Sequence, residues 1–142
     1  MNVKTENSSH KEKENTLKSK SISYWVVTAM VAFFIGSGGA AELGQVQGTI
    51  QGLVQLGYPA YFATIIGFWK LLGAIAILVP RFPRLKEWAY AGIFFNMTGA
   101  AATGLFTHIA LWHVIVDLVL TALTVTSWAL RPRSRRLEGP IL

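Results

Sequence analysis

Four long apolar stretches, at about residues 22–41, 60–79, 88–106 and 109–130, alternate with short polar or basic connections. Each is close to the roughly 20 residues that carry a helix across a hydrocarbon core of about 30 Å at 1.5 Å per residue. The pattern predicts an all-α fold, an integral membrane four-helix antiparallel bundle, because such short connections make successive helices reverse direction. Residues 42–59 hold four glutamines and no basic residue, while Val46, Ile50, Leu53, Val54 and Gly57 recur at helical spacing. That spacing predicts a short outer helix along the membrane interface between spans one and two, stopped by Gly57-Tyr58-Pro59. Lys18, Lys20 and the small residues Gly38-Gly39-Ala40-Ala41 flank the first stretch much as they would flank the core of a signal peptide. The stretch is longer than such a core, and its small residues suit close helix contact, so it is read as a span. Gly99-Ala100-Ala101-Ala102 is a second small-residue packing patch.

Charge gives the bundle an orientation. Of 13 Lys and Arg residues, all but Lys70 fall at residues 4–20, 81–86 and 131–136. These clusters lie on one side of the expected membrane and the outer connections carry none, so both termini are expected to be cytoplasmic. Trp88, Tyr90, Trp112 and Trp128 sit at the span ends as interfacial aromatics. The net charge of +6 is therefore topological, and no nucleic-acid partner is expected; the partner it implies is the lipid bilayer. Mean hydropathy of +0.42 and 52% hydrophobic residues exclude an ordinary soluble domain. Residues 1–20 mix Lys, Glu, Asn and Ser without apolar periodicity and are expected to form a disordered cytoplasmic tail. Residues 21–130 make the membrane domain, and 131–142 a basic cytoplasmic tail.

The absence of cysteine leaves His and carboxylate as the transition-metal ligands, and no Glu-x-x-His pair of the di-iron kind occurs, so no metal site is expected. No Gly-rich loop after a strand and no His-Glu-x-x-His occurs, so no catalytic residue can be named. The candidate chemistry lies in the polar residues of the spans. Counted from the outer end, Lys70 lies about 15 Å deep, Asp117 about 12 Å and Asn96 about 15 Å, which makes a polar layer near the midplane. Lys70 and Asp117 are expected to face each other, as a register-fixing pair or as the lining of a proton path or headgroup site. His113, one turn above Asp117, joins Glu42 and His108 in an outer cluster that suits a proton or quinone route.

The chain also resembles a known family. The resemblance covers about residues 24–132 and rests on Leu56-Gly57-Tyr58-Pro59, Gly67-Phe68-Trp69-Lys70-Leu71-Leu72-Gly73-Ala74, Leu85-Lys86-Glu87-Trp88-Ala89-Tyr90-Ala91-Gly92, Thr98-Gly99-Ala100-Ala101, Trp112-His113 and Ser127-Trp128-Ala129-Leu130-Arg131-Pro132. Together these are similar to the DoxX-like family of small four-helix bacterial membrane proteins. Members often carry Ser-His after the Gly-Ala-Ala patch, where this chain has Ala102-Thr103 and reaches a histidine only at His108. The resemblance implies a protein of the bacterial cytoplasmic membrane, an accessory to a quinone-linked redox process, with quinone as the cofactor to test and a redox subunit or a homo-oligomer as partner. Lys70 and Glu87 carry over as motif residues without a set role. The competing expectations are a small proton-coupled exporter and a purely structural membrane subunit. The exporter is disfavoured because its membrane carboxylate belongs inside the first span, whereas Glu42 ends it and Lys70 repels cations.

Overall fold

The computed structural model describes residues 3–136. Among them the chain is all-helical: α1 (Val3–Leu43), α2 (Gln47–Gln55), α3 (Tyr61–Leu78), α4 (Pro83–Phe106) and α5 (Leu111–Ala129), followed by a 3-10 turn at Arg133–Arg135. Helices α1, α3 and α5 are long and apolar enough to cross a membrane. Helix α4 has the length, at 24 residues, but its charged first turns, Asn96 and its Gly and Thr residues dilute its hydropathy. The packing is closest between α1 and α3 and between α4 and α5, and the two pairs join through α1–α5 and α3–α4 contacts.

The core is small and the outside is greasy. Val31, Ile35, Ala74, Ile77, Ile93 and Met97 interlock at its centre. Phe33, Trp69, Phe95, Leu111 and Ile115 point outward at 57–70% exposure. A water-soluble protein rarely leaves so continuous an apolar surface uncovered, whereas lipid covers it without cost.

The N-terminal segment differs from expectation. Residues 3–20 are not a disordered tail but the first part of α1, exposed on every side. Extending an existing span needs no new helix nucleus, since each added residue closes one more hydrogen bond. Lys and Glu are good helix formers, and a Glu14–Lys18 pair one turn apart, at 2.6 Å, adds local support. Residues 137–142 of the expected C-terminal tail lie outside the described residues.

Three helix ends close in the same way. At the end of α2, Tyr58 N–H donates to Leu53 O and Gly57 N–H to Val54 O, with Gly57 at φ 88°, the paired C-terminal bonds of a Schellman turn. Gln45 (φ 49°) takes the same left-handed position after α1, where Val46 N–H donates to Ala41 O. His108 (φ 54°) takes it after α4, where Ile109 N–H donates to Gly104 O. His108 is therefore a helix stop with an exposed side chain, and it does not join an outer cluster.

Candidate functional site

Two polar centres stand apart, one where the end of α1 crosses the middle of α3 and one where the α3–α4 turn meets the end of α5. The first is built by a close helix crossing. A Cβ added at Gly39 would lie 2.8 Å from Gly67 O, and one added at Gly67 would lie 2.7 Å from Gly39 O, so α1 and α3 touch backbone to backbone here. One turn on, Glu42 and Lys70 leave the two glycines at the same offset of three residues. Lys70 Nζ donates to Glu42 Oε1 at 2.5 Å. Glu42 is 6% exposed, and its Oε2 is buried without a hydrogen-bond partner.

This corrects the expected Lys70–Asp117 pair. Equal depth places two residues on one level but does not make their helices neighbours, and α3 and α5 are not among the closely packed pairs. Asp117 is half-buried on α5 and forms no ion pair among the described residues, although the charges of Lys70 and His113 both act on it. His113 is exposed, its ring edge-on to Trp112 at 6.5 Å. Asn96 is half-buried on α4 with Oδ1 unpartnered, so the polar layer is not one connected group. No group of three or more His, Asp or Glu side chains that could hold a metal ion occurs among the described residues.

The second centre lies where the basic residues of the α3–α4 turn and of the segment after α5 meet, and hydrogen bonds hold them there. The last turn of a helix leaves carbonyls without partners. Lys86, fully buried, donates from Nζ to Ala76 O (3.0 Å) and Ile77 O (2.8 Å), and Arg135 donates to Leu78 O (3.3 Å), so basic side chains cap α3. At the end of α5, Arg131 Nε donates to Trp128 O (3.0 Å), and Arg136 donates to Arg131 O (2.6 Å) and Ala129 O (3.0 Å). Cations also complement the negative end of the helix dipole. The guanidinium of Arg135 lies 4.5 Å from the Trp25 ring, tying α1 to the same end.

Inside this basic rim Glu87 binds both Arg131, at 2.6 Å, and the indole Nε1 of Trp128, at 2.8 Å. Burial alone raises the Glu87 carboxyl, but the hydrogen bonds from Trp128 and Arg131 and the Arg131 charge together outweigh it and hold the group below the usual carboxylate value. Burial lowers Lys86 to about 8, helped by the charges of Arg135 and Arg131. Arg131, 3% exposed, also lies over the Tyr90 ring at 5.2 Å. Tyr90 Oη and Thr28 Oγ1 each lie 2.7 Å from Ser127 Oγ, a buried hydroxyl chain that joins α4, α5 and α1. Beside it a cleft of about 210 Å³ opens between α4 and α5, lined by Glu87, Tyr90, Ala91, Phe94, Thr124, Val125 and Trp128.

Sequence reasoning missed this second centre as a site, although Glu87, Tyr90, Ser127, Trp128 and Arg131 all lie in the segments that carry the family resemblance. A partial signal was present in Thr28 and Ser127, which stand among several small hydroxyl residues on the first and fourth spans, since such groups need hydrogen-bond partners when buried.

The model of the DoxX-like family matches residues 26–127. The chain belongs to the DoxX-like family. No curated protein and no solved structure matches it. The match takes in Glu42, Lys70, Lys86, Glu87, Tyr90 and Ser127, and stops just before the Trp128 and Arg131 that complete the second centre.

Proposed function

We propose that this DoxX-like membrane protein is a four-span antiparallel bundle of the bacterial cytoplasmic membrane with both termini cytoplasmic. In this reading it serves as an accessory subunit that holds the headgroup of a quinone or quinol beside a redox partner. The topology is supported by the gathering of the three basic clusters at one end, while the segment holding α2 and the α4–α5 connection carry no basic residue. Helix α4 counts as the third span because it packs against both α3 and α5, which half-buries Asn96, while the hydroxyls of Thr98 and Thr103 bond back to Phe94 O and Gly99 O of their own helix.

The cleft between α4 and α5 carries the headgroup reading. Its aromatic residues Tyr90, Phe94 and Trp128 offer a flat apolar slot, and about 210 Å³ is on the scale of a substituted ring. Glu87, held ionised by Arg131 and Trp128, is an acceptor at the cleft for a quinol hydroxyl. The outer cluster offers less: Glu42 is committed to Lys70 at a tight crossing and His113 faces outward. The same commitment removes Glu42 as the free membrane carboxylate that a cation exporter needs, so that reading would rest on Asp117 alone.

Titration of the purified protein with a short-chain quinone, read by tryptophan fluorescence, tests the site. Quenching should be lost with Trp128→Phe, and Glu87→Gln should weaken binding at least about fivefold, while His113→Ala and Asp117→Asn leave it unchanged. Loss with the latter two instead would move the site to the outer cluster. No quenching at all would leave a structural subunit as the better reading. Reporter fusions after Gln47 and Phe106 should both read external.

A further inference from the structure

The basic end holds more cations than its own acceptors use. Lys86, Arg131, Arg135 and Arg136 are committed to carbonyls or to Glu87. Arg81 and Arg84, at the α3–α4 turn, are exposed and make no hydrogen bond or ion pair among the described residues. Only one carboxylate, Glu87, stands among residues 81–86 and 131–136 and their immediate neighbours in the described chain, so this end carries an uncompensated positive charge.

Exposed apolar residues alternate with those two arginines in sequence. Phe82 is 63% exposed, Leu85 53% and Trp88 79%, spaced three residues apart along the start of α4. Leu85 and Trp88, three residues apart, share a flank of α4, and Phe82 stands at its N-cap in the left-handed region, with Arg81 and Arg84 each one residue before a member of the stripe. A free anion would have no use for the stripe, and an acidic soluble partner would leave it facing water. A lipid uses both halves, its phosphate on the guanidiniums and its acyl chains along the ring and leucine surfaces.

We propose that the α3–α4 turn binds the phosphodiester headgroup of an anionic membrane lipid, with Arg81 and Arg84 on the phosphate and Phe82, Leu85 and Trp88 along its chains. The site rests on the membrane reading above and is independent of the quinone cleft, so loss of one leaves the other standing. Symmetric lipid additions also make its test independent of which end faces the cytoplasm.

The experiment adds three probes to the full chain purified in detergent: a short-chain phosphatidylglycerol, the phosphatidylcholine of the same chains, and glycerol phosphate. Binding is read from the shift in melting temperature with probe concentration. The phosphatidylglycerol should stabilise the wild type and bind at least about tenfold more weakly to the Arg81→Gln/Arg84→Gln variant, while phosphatidylcholine and glycerol phosphate give little shift. Equal shifts with the two lipids, an equal shift with glycerol phosphate, or unchanged binding to the variant would each overturn the site. Should that variant fail to fold, the wild type in mixed micelles answers the question. Acyl-brominated phosphatidylglycerol should quench tryptophan emission more than brominated phosphatidylcholine, and the excess should vanish in Trp88→Phe; an excess that persists, or none in the wild type, overturns the proposal.

Discussion

Lys70 Nζ lies 2.5 Å from Glu42 Oε1 because, one turn earlier, Gly39 and Gly67 bring α1 and α3 into backbone contact. Neither residue has another ion-pair partner among the described residues. Removing one partner of such a pair strands a buried charge, which typically costs about 3 to 5 kcal/mol, whereas removing both costs less. Lys70→Met and Glu42→Gln should each lower thermal stability in detergent, and the double variant should recover part of the loss. Asp117→Asn in the Lys70→Met background should show a smaller coupling than Glu42→Gln, since Asp117 feels the Lys70 charge without an ion-pair contact; additive losses for Glu42 and Lys70 would mean that the pair does not form in the membrane.

The crossing itself gives a sharper contrast. Gly67→Ala puts a methyl 2.7 Å from Gly39 O, so the helices must separate, at a cost of about 1 to 3 kcal/mol. At Gly92 and Gly99 an added Cβ meets nothing within 4 Å. Alanine there should leave stability unchanged or raise it by up to about 1 kcal/mol through helix propensity. Melting curves of the three variants decide this, and a Gly67→Ala protein as stable as the wild type would remove the crossing.

Ser127 is the hub of the hydroxyl chain, since both Thr28 and Tyr90 bond to it. Ser127→Ala strands two buried hydroxyls and should cost about 1 to 3 kcal/mol, more than Tyr90→Phe, after which Ser127 still bonds Thr28. Combining Thr28→Val, Tyr90→Phe and Ser127→Ala should cost less than the sum of the single losses. A strictly additive result would show that the three hydroxyls are not one network.

Lys86 sets an alkaline signature. Its folded value of about 8 lies below the ordinary 10.5, so between these values the unfolded chain binds more protons than the folded one. Stability from this site therefore rises as pH increases from about 8 towards 10.5, and the penalty of a charged, buried Lys86 is fully present below about 8. Chemical denaturation across that window should show the rise in the wild type and a flatter profile in Lys86→Met. Equal slopes would place the Lys86 ammonium in water.

The candidate centres were legible to different degrees. Lys70, Glu42 and Asp117 stand out in sequence because a charge in an apolar stretch is rare and costly, but depth along a helix axis says nothing about rotation around it. The pairing of Lys70 with Glu42 rather than Asp117 depends on which helices touch, and two glycines settle that. Residues 3–20 carry a composition that has no core to join, and their helix depends on continuing a span already formed. His108 invites a chemical reading, yet its backbone φ of 54° makes it a helix stop.

Sequence alone determined the family, the helical class and the membrane character, because apolar length and the resemblance motifs are local properties of the chain. It also determined that the basic clusters would share one end. Only the tertiary structure decided what those basic residues do there. Lys86, Arg135 and Arg136 meet carbonyls that the ends of α3 and α5 leave unpaired, and Arg131 meets Glu87 from another helix. Arg135 and Leu78 are 57 residues apart and Arg131 and Glu87 are 44 apart, so these bonds exist only once helix packing has brought the end of α5 to the α3–α4 turn.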